Sequence, residues 1–276
     1  DSISIVGNRK ANVITAGAGS STLNGGKGND TLRGGDGEDI FICAGNFGKD
    51  VIENFGEGDA ISLDGGATIK EFAMKDGNGF MKIGNSSLTV KGTSEFKFTA
   101  GDETKIFSGG NIFDADKTAV TLSTAFNDMF RLGEYESADG SLTRKSVTLV
   151  GNEKDNYLSG GKKNDTLIGG AGNDTLWGGK GKDELWGGSG ADVFIFRAGD
   201  GNDTISDYDY SDGDMLTILK KNGDPNTFGK AVFDGDTLTL SVKGGGKIIF
   251  TDVNSSSEFN INGDTYRIKG KRLTNP

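Results

Sequence analysis

Between positions 151 and 195 an aspartate recurs every nine residues: Asp165, Asp174, Asp183 and Asp192. An apolar side chain follows each of them two positions later: Leu167, Leu176, Leu185 and Phe194. Five nine-residue units carry the pattern: GNEKDNYLS, GGKKNDTLI, GGAGNDTLW, GGKGKDELW and GGSGADVFI. Carboxylates at a fixed spacing among glycine turns offer hard oxygen donors, with neither sulfur nor imidazole. Calcium takes about 6–8 such oxygens in tolerant geometry, whereas magnesium demands an octahedron and keeps its waters. Transition metals favour nitrogen or sulfur, so the donor set points to calcium.

The elements that must position these acids follow from one unit, GGAGNDTLW at 169–177. Its first six residues turn and its last three extend. Glycines at the first, second and fourth places permit positive φ and close backbone approach. Thr175, Leu176 and Trp177 then make a short strand, with Leu176 pointing inward and its neighbours outward. Two units complete one coil, so each unit stacks on the next but one. That stacking brings Asp174 near Asp192, with the carbonyls of two glycine turns between them.

A second block lies upstream. GNRKANVIT and AGAGSSTLN, at 7–24, are degenerate, whereas GGKGNDTLR and GGDGEDIFI, at 25–42, are well formed. After each block the period slips by two residues and one more turn follows, GNFGKDVIE with Asp50 and AGDGNDTIS with Asp203. Acidic closing elements come next: NFGEGDAISL with Asp59, and DYDYSDGDMLTI with Asp207 and Asp214. Asp59, Asp207 and Asp214 read equally well as caps of the last coil and as further ligands. The tails match too, GFMKIGNSSLTVKG and TAGDETKIF against DTLTLSVKGG and INGDTYRI. Their alternation of apolar and polar residues between glycine turns predicts short antiparallel strands. The chain therefore reads as a tandem duplication: a first module at 1–112, a connector at 113–148 and a second module at 149–276. Within the connector region Ala119–Leu122 reads as a strand and Ser123–Leu132 as one short helix.

GGKGNDTLR, GGAGNDTLW and GGSGADVFI resemble the RTX (repeats-in-toxin) nonapeptide, G-G-x-G-x-D-x-U-x, a calcium-binding repeat. The resemblance implies an all-β fold of two parallel β-rolls, each followed by a small antiparallel β tail. It implies Asp30, Asp39, Asp50, Asp165, Asp174, Asp183, Asp192 and Asp203 as ligands. Turn carbonyls near Gly170, Gly172, Gly179 and Gly181 would join them. At two turns per ion about five to eight calcium ions are expected. Asn12, Ser21 and Asn156 stand where an acid belongs, and Lys163 where a glycine belongs. Sites there should be weak, absent or altered. The family also implies a protein secreted from, or displayed on, a Gram-negative bacterium through type I export.

Composition removes other classes. Glycine fills 47 of 276 positions against two prolines, which excludes collagen. Acids outnumber bases 40 to 30, a formal charge of -10. With 33% hydrophobic residues, such a chain stays unfolded unless its carboxylates are neutralised. The absence of a basic stripe argues against nucleic acid. With no histidine, His-based triads and His-ligated zinc are excluded. The lone Cys43 reads as a small packed residue. No serine-elbow, HExxH or phosphate-loop motif is present, so no catalytic site and no enzyme is expected. No apolar run approaches the roughly 20 residues of a membrane span, so no transmembrane segment is expected. The start, DSISIVGNRK, has no apolar signal core, which fits either a piece of a longer protein or export by another signal.

Three local features have plain readings. DYDYSDGD fails as an EF-hand, because Asp212 sits where glycine is needed and Ile218 where a glutamate is needed. The Asp224–Pro225 bond resembles the self-cleaving bond of some RTX proteins, but a turn between strands is the simpler reading. Trp177 and Trp186 project outward and are expected to pack beneath a flanking segment within 120–145 rather than to form an exposed surface.

The leading functional reading is a calcium-binding structural module that folds on binding calcium outside the cell, within a larger secreted or surface RTX protein. One alternative is a glycan- or protein-binding module of an adhesin or polysaccharide-modifying enzyme. The other is the accessory C-terminal region of an RTX toxin, protease or lipase.

Overall fold

A computed structural model describes residues 3–275 apart from 64–66, 101–102, 115–118, 124–125 and 127–128. The chain divides into two compact units, Asp1–Thr124 and Ala125–Pro276. The division falls within the stretch read as a connector. Among the described residues every regular element is a β-strand.

Each unit is a coil of two parallel sheets. In the second unit one sheet stacks Ser137–Asp139, Tyr157–Gly161, Thr175–Gly179, Val193–Arg197 and Met215–Leu219. The other stacks Met129–Arg131, Thr148–Val150, Thr166–Ala171, Glu184–Ser189 and Asn202–Ile205. Leu158, Leu176 and Phe194 fall in register, as do Leu149, Leu167 and Leu185. Two nine-residue units therefore make one turn of the coil. In the first unit Ile3–Val6, Ser21–Asn24, Ile40–Cys43 and Ala60–Leu63 form one sheet. Val13–Thr15, Thr31–Arg33 and Lys49–Glu53 form the other.

The middle residue of each short strand fills the interior, as alternation along a strand requires. Leu158, Leu167, Leu176, Leu185 and Phe194 are almost wholly buried. The core is thus one apolar row per sheet, with the aspartate turns along both edges.

The tails continue both sheets rather than forming separate layers. Lys247–Phe250 adds in parallel to Asn202–Ile205 and then turns antiparallel through Thr237–Val242 to Phe228–Asp234. Glu258–Ile261 adds to Met215–Leu219 and continues antiparallel into Asp264–Lys269 and Arg272–Thr274. The first unit repeats the plan, with Ser86–Val90 added to Lys49–Glu53 and Glu95–Ala100 added to Ala60–Leu63. An aromatic side chain plugs each coil where the tail begins. Tyr208 packs on Phe250 and Phe259 at ring distances of 5.1 and 5.4 Å. Phe55 packs on Phe41 and Phe96 at 5.8 and 5.9 Å.

One expectation needs correction. Within Ser123–Leu132, read as a helix, Met129–Arg131 is a strand paired with Thr148–Val150; residues 124, 125, 127 and 128 lie outside the described residues. A short isolated helix is marginal, and the open coil edge offers this segment a row of hydrogen-bond partners instead.

Leu176→Ala in the calcium-loaded protein should cost about 2–5 kcal/mol. Thr175→Ala, one residue away on the outer face, should stay within about 0.5 kcal/mol. Chemical denaturation of the two variants checks the inward–outward assignment, and equal losses would contradict it.

Candidate metal centre

The repeat aspartates line the two edges of each coil, where strand gives way to glycine turn. All of them are buried, and no ion pair among the described residues neutralises them. What each one meets is backbone. The Oδ1 atoms of Asp174, Asp192 and Asp214 accept the N–H groups of Asn156, Asp174 and Asp192 at 2.7, 2.8 and 2.9 Å. Along the other edge Asp165, Asp183 and Asp203 accept those of Val147, Asp165 and Asp183 at 2.9, 2.8 and 3.2 Å. In the first unit Asp30 and Asp50 accept from Asn12 and Asp30 at 2.7 and 3.0 Å. Asp39 and Asp59 accept from Ser21 and Asp39, both at 2.8 Å. The coil thus gathers the acids into two rows per unit, each carboxylate tied to the acid position of the preceding coil.

The second oxygen behaves differently. Oδ2 of Asp30, Asp174, Asp183 and Asp192 is buried with no partner. In Asp39 and Asp165 it accepts the N–H of Gly35 and Gly161 at 2.7 and 2.6 Å. The first glycine of the unit makes the space: a Cβ at Gly169 would lie 2.8 Å from Cγ of Asp174. Gly170, Gly172, Gly179 and Gly181 all have positive φ, and each lies against a carbonyl oxygen of the coil before it. At Gly172 an added Cβ would approach the Lys154 oxygen to 2.6 Å. The turns therefore place main-chain oxygens and bare carboxylate oxygens on the same edges.

Among the described residues no three acids converge on one point. A cation here must take its remaining oxygens from the turn carbonyls, and the all-oxygen donor set together with the unpartnered Oδ2 atoms fits calcium.

Asp59, Asp207 and Asp214 use both oxygens on backbone N–H groups. Asp207 accepts from Gly187 and Gly188 at 3.0 and 2.9 Å. The second oxygens of Asp59 and Asp214 accept from Gly56 and Asp209, both at 2.8 Å. That is the geometry of a cap on the last coil. Asn12 and Asn156 keep the local hydrogen bond, accepting from Asn8 and Asn152 at 2.8 Å, but bring no charge. Lys163 does not take up the positive φ of its glycine counterparts.

Burial dominates the electrostatics. Desolvation raises the carboxyls of Asp174, Asp192 and Asp214 to about 6. It raises Asp50 and Asp183 to about 7 and Asp203 to about 8. Repulsion from the neighbouring acid adds to the shift in Asp183 and Asp203, and backbone hydrogen bonds oppose it. Asp59, Asp165 and Asp207 shift the same way for the same leading reason.

Two features of the site escape a reading centred on the acids. The residue just before the acid builds a second ladder running the other way. Asp155, Asn164, Asn173 and Asn29 accept the N–H groups of Asn173, Lys182, Ala191 and Lys49 at 2.7, 3.0, 2.9 and 3.0 Å. Its signal was the recurring Asn-Asp pair at 29–30, 164–165 and 173–174. The second is Asp200, which is buried and accepts from the Trp177 indole at 3.0 Å. The Arg197 guanidinium lies over that indole at 3.9 Å. Trp177 is therefore held from the next coil by Arg197 and Asp200, where a segment of 120–145 was expected.

Cys43 is buried, and desolvation pushes its thiol well above the ordinary range. Asp224–Pro225 lies in a turn closed by Lys220 N–H to Asp224 O at 2.7 Å.

A family model, the RTX calcium-binding nonapeptide repeat (4 copies), matches residues 6–41 and 159–194. Both units therefore carry RTX repeats. Among solved structures the chain is similar to the crystal structure of extracellular lipase LipA from Serratia marcescens. Identity there is 19% and the TM-score 0.33, over 92% of this chain and 38% of the lipase. It is also similar to the solution structure of the AlgE6R3 subunit from the Azotobacter vinelandii mannuronan C5-epimerase. Identity is 29% and the TM-score 0.29, over 38% of this chain and 70% of that one. The chain thus spans well under half the length of the lipase it matches. No curated protein sequence matches it.

The raised carboxyls set a pH dependence. Asp in an unfolded chain titrates near about 4, so the metal-free coil holds protons that the unfolded chain has already released. Their contribution to stability is full below about pH 4 and is lost as pH rises through the folded values, about 6 to 8. In metal-free buffer, circular dichroism should show more β-structure at pH 5 than at pH 8, and calcium should bind more weakly at pH 5. A metal-free coil that gains structure toward pH 8 would contradict this.

Proposed function

We propose that this RTX-repeat chain is a calcium-binding structural module that folds on binding calcium outside the cell, as part of a larger secreted or surface protein. The observation that carries the reading is the bare, buried Oδ2 of Asp30, Asp174, Asp183 and Asp192. Asp30, Asp39, Asp50, Asp165, Asp174, Asp183, Asp192 and Asp203 would hold the ions, with turn carbonyls near Gly170, Gly172, Gly179 and Gly181. Asp59, Asp207 and Asp214 would close the last coil of each stack as caps, with both oxygens on backbone N–H groups. Calcium, when bound, supplies the positive charge and the oxygen coordination that the rows otherwise lack.

The residues account for the coupling to folding. Rows of desolvated like charges favour the unfolded chain. One apolar side chain per nine residues cannot by itself offset the loss of chain entropy. A site that exists only in the stacked coil makes binding free energy part of folding free energy. Extracellular calcium modules bind at about 0.1–1 mM, a range that separates a calcium-poor cytosol from a calcium-rich exterior. The role is structural: the repeat carboxylates are committed to backbone and cation and leave no free acid–base pair.

Circular dichroism during a calcium titration tests the reading. At neutral pH the chelated chain should lose β-structure and regain it at about 0.1–1 mM calcium, and magnesium should not substitute. Asp183→Asn keeps an oxygen for the backbone bond but removes the charge, and should raise the calcium midpoint several-fold. Asp76→Asn, on an exposed turn of the first tail, should leave it unchanged. A β-rich spectrum indifferent to chelation would defeat the proposal.

A further inference from the structure

Each unit has an open cavity where its closing loop meets the tail strand added to the same sheet, Glu95–Ala100 or Glu258–Ile261, and the two cavities are copies of one scaffold. Gly56 and Asp209 each donate an N–H to the closing aspartate, Asp59 or Asp214, at 2.8 Å. Gly58 and Gly213 precede those aspartates with φ of 92° and 103°. Phe98 pairs with Ile61 as Ile261 pairs with Leu216, so Glu95 and Phe96 correspond to Glu258 and Phe259.

The difference lies in what fills the loop. The first loop runs from Gly56 to Asp59 and the second from Asp209 to Asp214. The second is two residues longer and adds Tyr210 and Ser211 to the cavity wall. Asp209 replaces glycine at the loop's start. The resulting cavity of about 310 Å³ is lined by Asp209, Tyr210, Ser211, Ser256, Ser257 and Glu258 together with the plug residues Tyr208 and Phe259. Its counterpart, about 490 Å³, is walled by Phe55, Gly56, Glu57, Thr93, Phe96 and Lys97 among others.

We propose that the second unit's cavity binds a neutral sugar ring, with Tyr210 as the face it packs on and Asp209, Ser256 and Ser211 as hydroxyl partners. Tyr210 is 36% exposed, yet its hydroxyl is held to Thr265 Oγ1 at 3.2 Å, so the ring is oriented in advance. An aromatic face with a polar tip suits the apolar face of a pyranose. Carboxylates only accept hydrogen bonds and serine hydroxyls do both, a combination that matches vicinal hydroxyl groups. Asp209 receives the Ser211 hydroxyl and N–H at 2.6 and 2.8 Å, which fixes its carboxylate.

Other ligand classes fit less well. An anion would face the Asp209 carboxylate, which lines the cavity. For a metal ion the cavity offers too little, since Glu258 is already paired with Arg267 at 2.6 Å and no third acid is in reach among the described residues. An apolar ligand would strand the serines and the carboxylates.

Amide NMR of the calcium-loaded full chain tests the assignment. The probes are methyl glucopyranoside and methyl galactopyranoside as neutral rings, glucosamine as a cation and glucuronate as an anion. At least one neutral glycoside should move the signals of Asp209–Asp212 and Ser256–Phe259 saturably, at the roughly millimolar Kd of a small ligand in an open pocket. Gly56–Gly58 and Thr93–Phe96 serve as the internal control and should not move. Tyr210→Ala and Asp209→Asn should each weaken binding about tenfold, a difference of about 1.4 kcal/mol. Circular dichroism must show the coil intact in each variant; should Tyr210→Ala not fold, Asp209→Asn and Ser256→Ala carry the test. No saturable movement with either neutral glycoside, equal movement in both cavities, or preference for glucosamine or glucuronate would overturn the proposal.

Discussion

A buried carboxylate with one oxygen hydrogen-bonded and the other bare is poorly placed at neutral pH. Burial penalises its charge, and an unmet polar atom adds its own cost. This protein repeats that arrangement along the edges of both coils. Oδ1 of each repeat aspartate accepts a backbone N–H from the coil before it, while Oδ2 of Asp30, Asp174, Asp183 and Asp192 has no protein partner. The backbone bond fixes the register of the stack, and the bare oxygen is the atom on which the proposed dependence on a cation rests. Glycine at the first position of the unit is part of the same constraint, because a Cβ there would enter the space beside the acid.

The coil, its register and its core were legible from spacing alone. Leu167, Leu176, Leu185 and Phe194 recur at nine residues, and a strand buries alternate side chains, so the inward row follows directly. The gathering of the acids into edge rows followed from the same period. Side-chain direction within the turn was not legible. Nothing in the composition shows that Asn173 accepts from Ala191 on the following coil while Asp192 accepts from Asp174 on the preceding one. Asp200 was hidden because it occupies a variable position of its unit. Only the fold brings it to Trp177, three strands earlier along the chain. The segment around Met129 was misread because local propensity is weak beside an available sheet edge.

The tails gain meaning from how they join the coils. A parallel coil ends in two unpaired edges, which are sites of unwanted association. Here each edge at the closing end is covered by one more parallel strand that leads into an antiparallel tail, and Tyr208 or Phe55 plugs the interior beneath them. The units differ in how firmly that plug is held. The Tyr208 hydroxyl bonds to Asp214 O at 2.7 Å and receives the Asn260 N–H at 2.9 Å, links that Phe55 cannot make. The second unit also has acids at more consecutive repeat positions, whereas the first opens with Asn12 and Ser21. The two units thus share one framework with two grades of closure and two differently furnished cavities.

The proposed dependence on calcium is tested most directly by a high-resolution electron-density map, with anomalous signal, from crystals grown in calcium. The account expects peaks at calcium–oxygen distances of about 2.3–2.6 Å from the Oδ2 atoms of Asp174, Asp183 and Asp192 and from turn carbonyls beside them. A map in which those oxygens meet only water or protein donors, with nothing bound between successive turns, would contradict it.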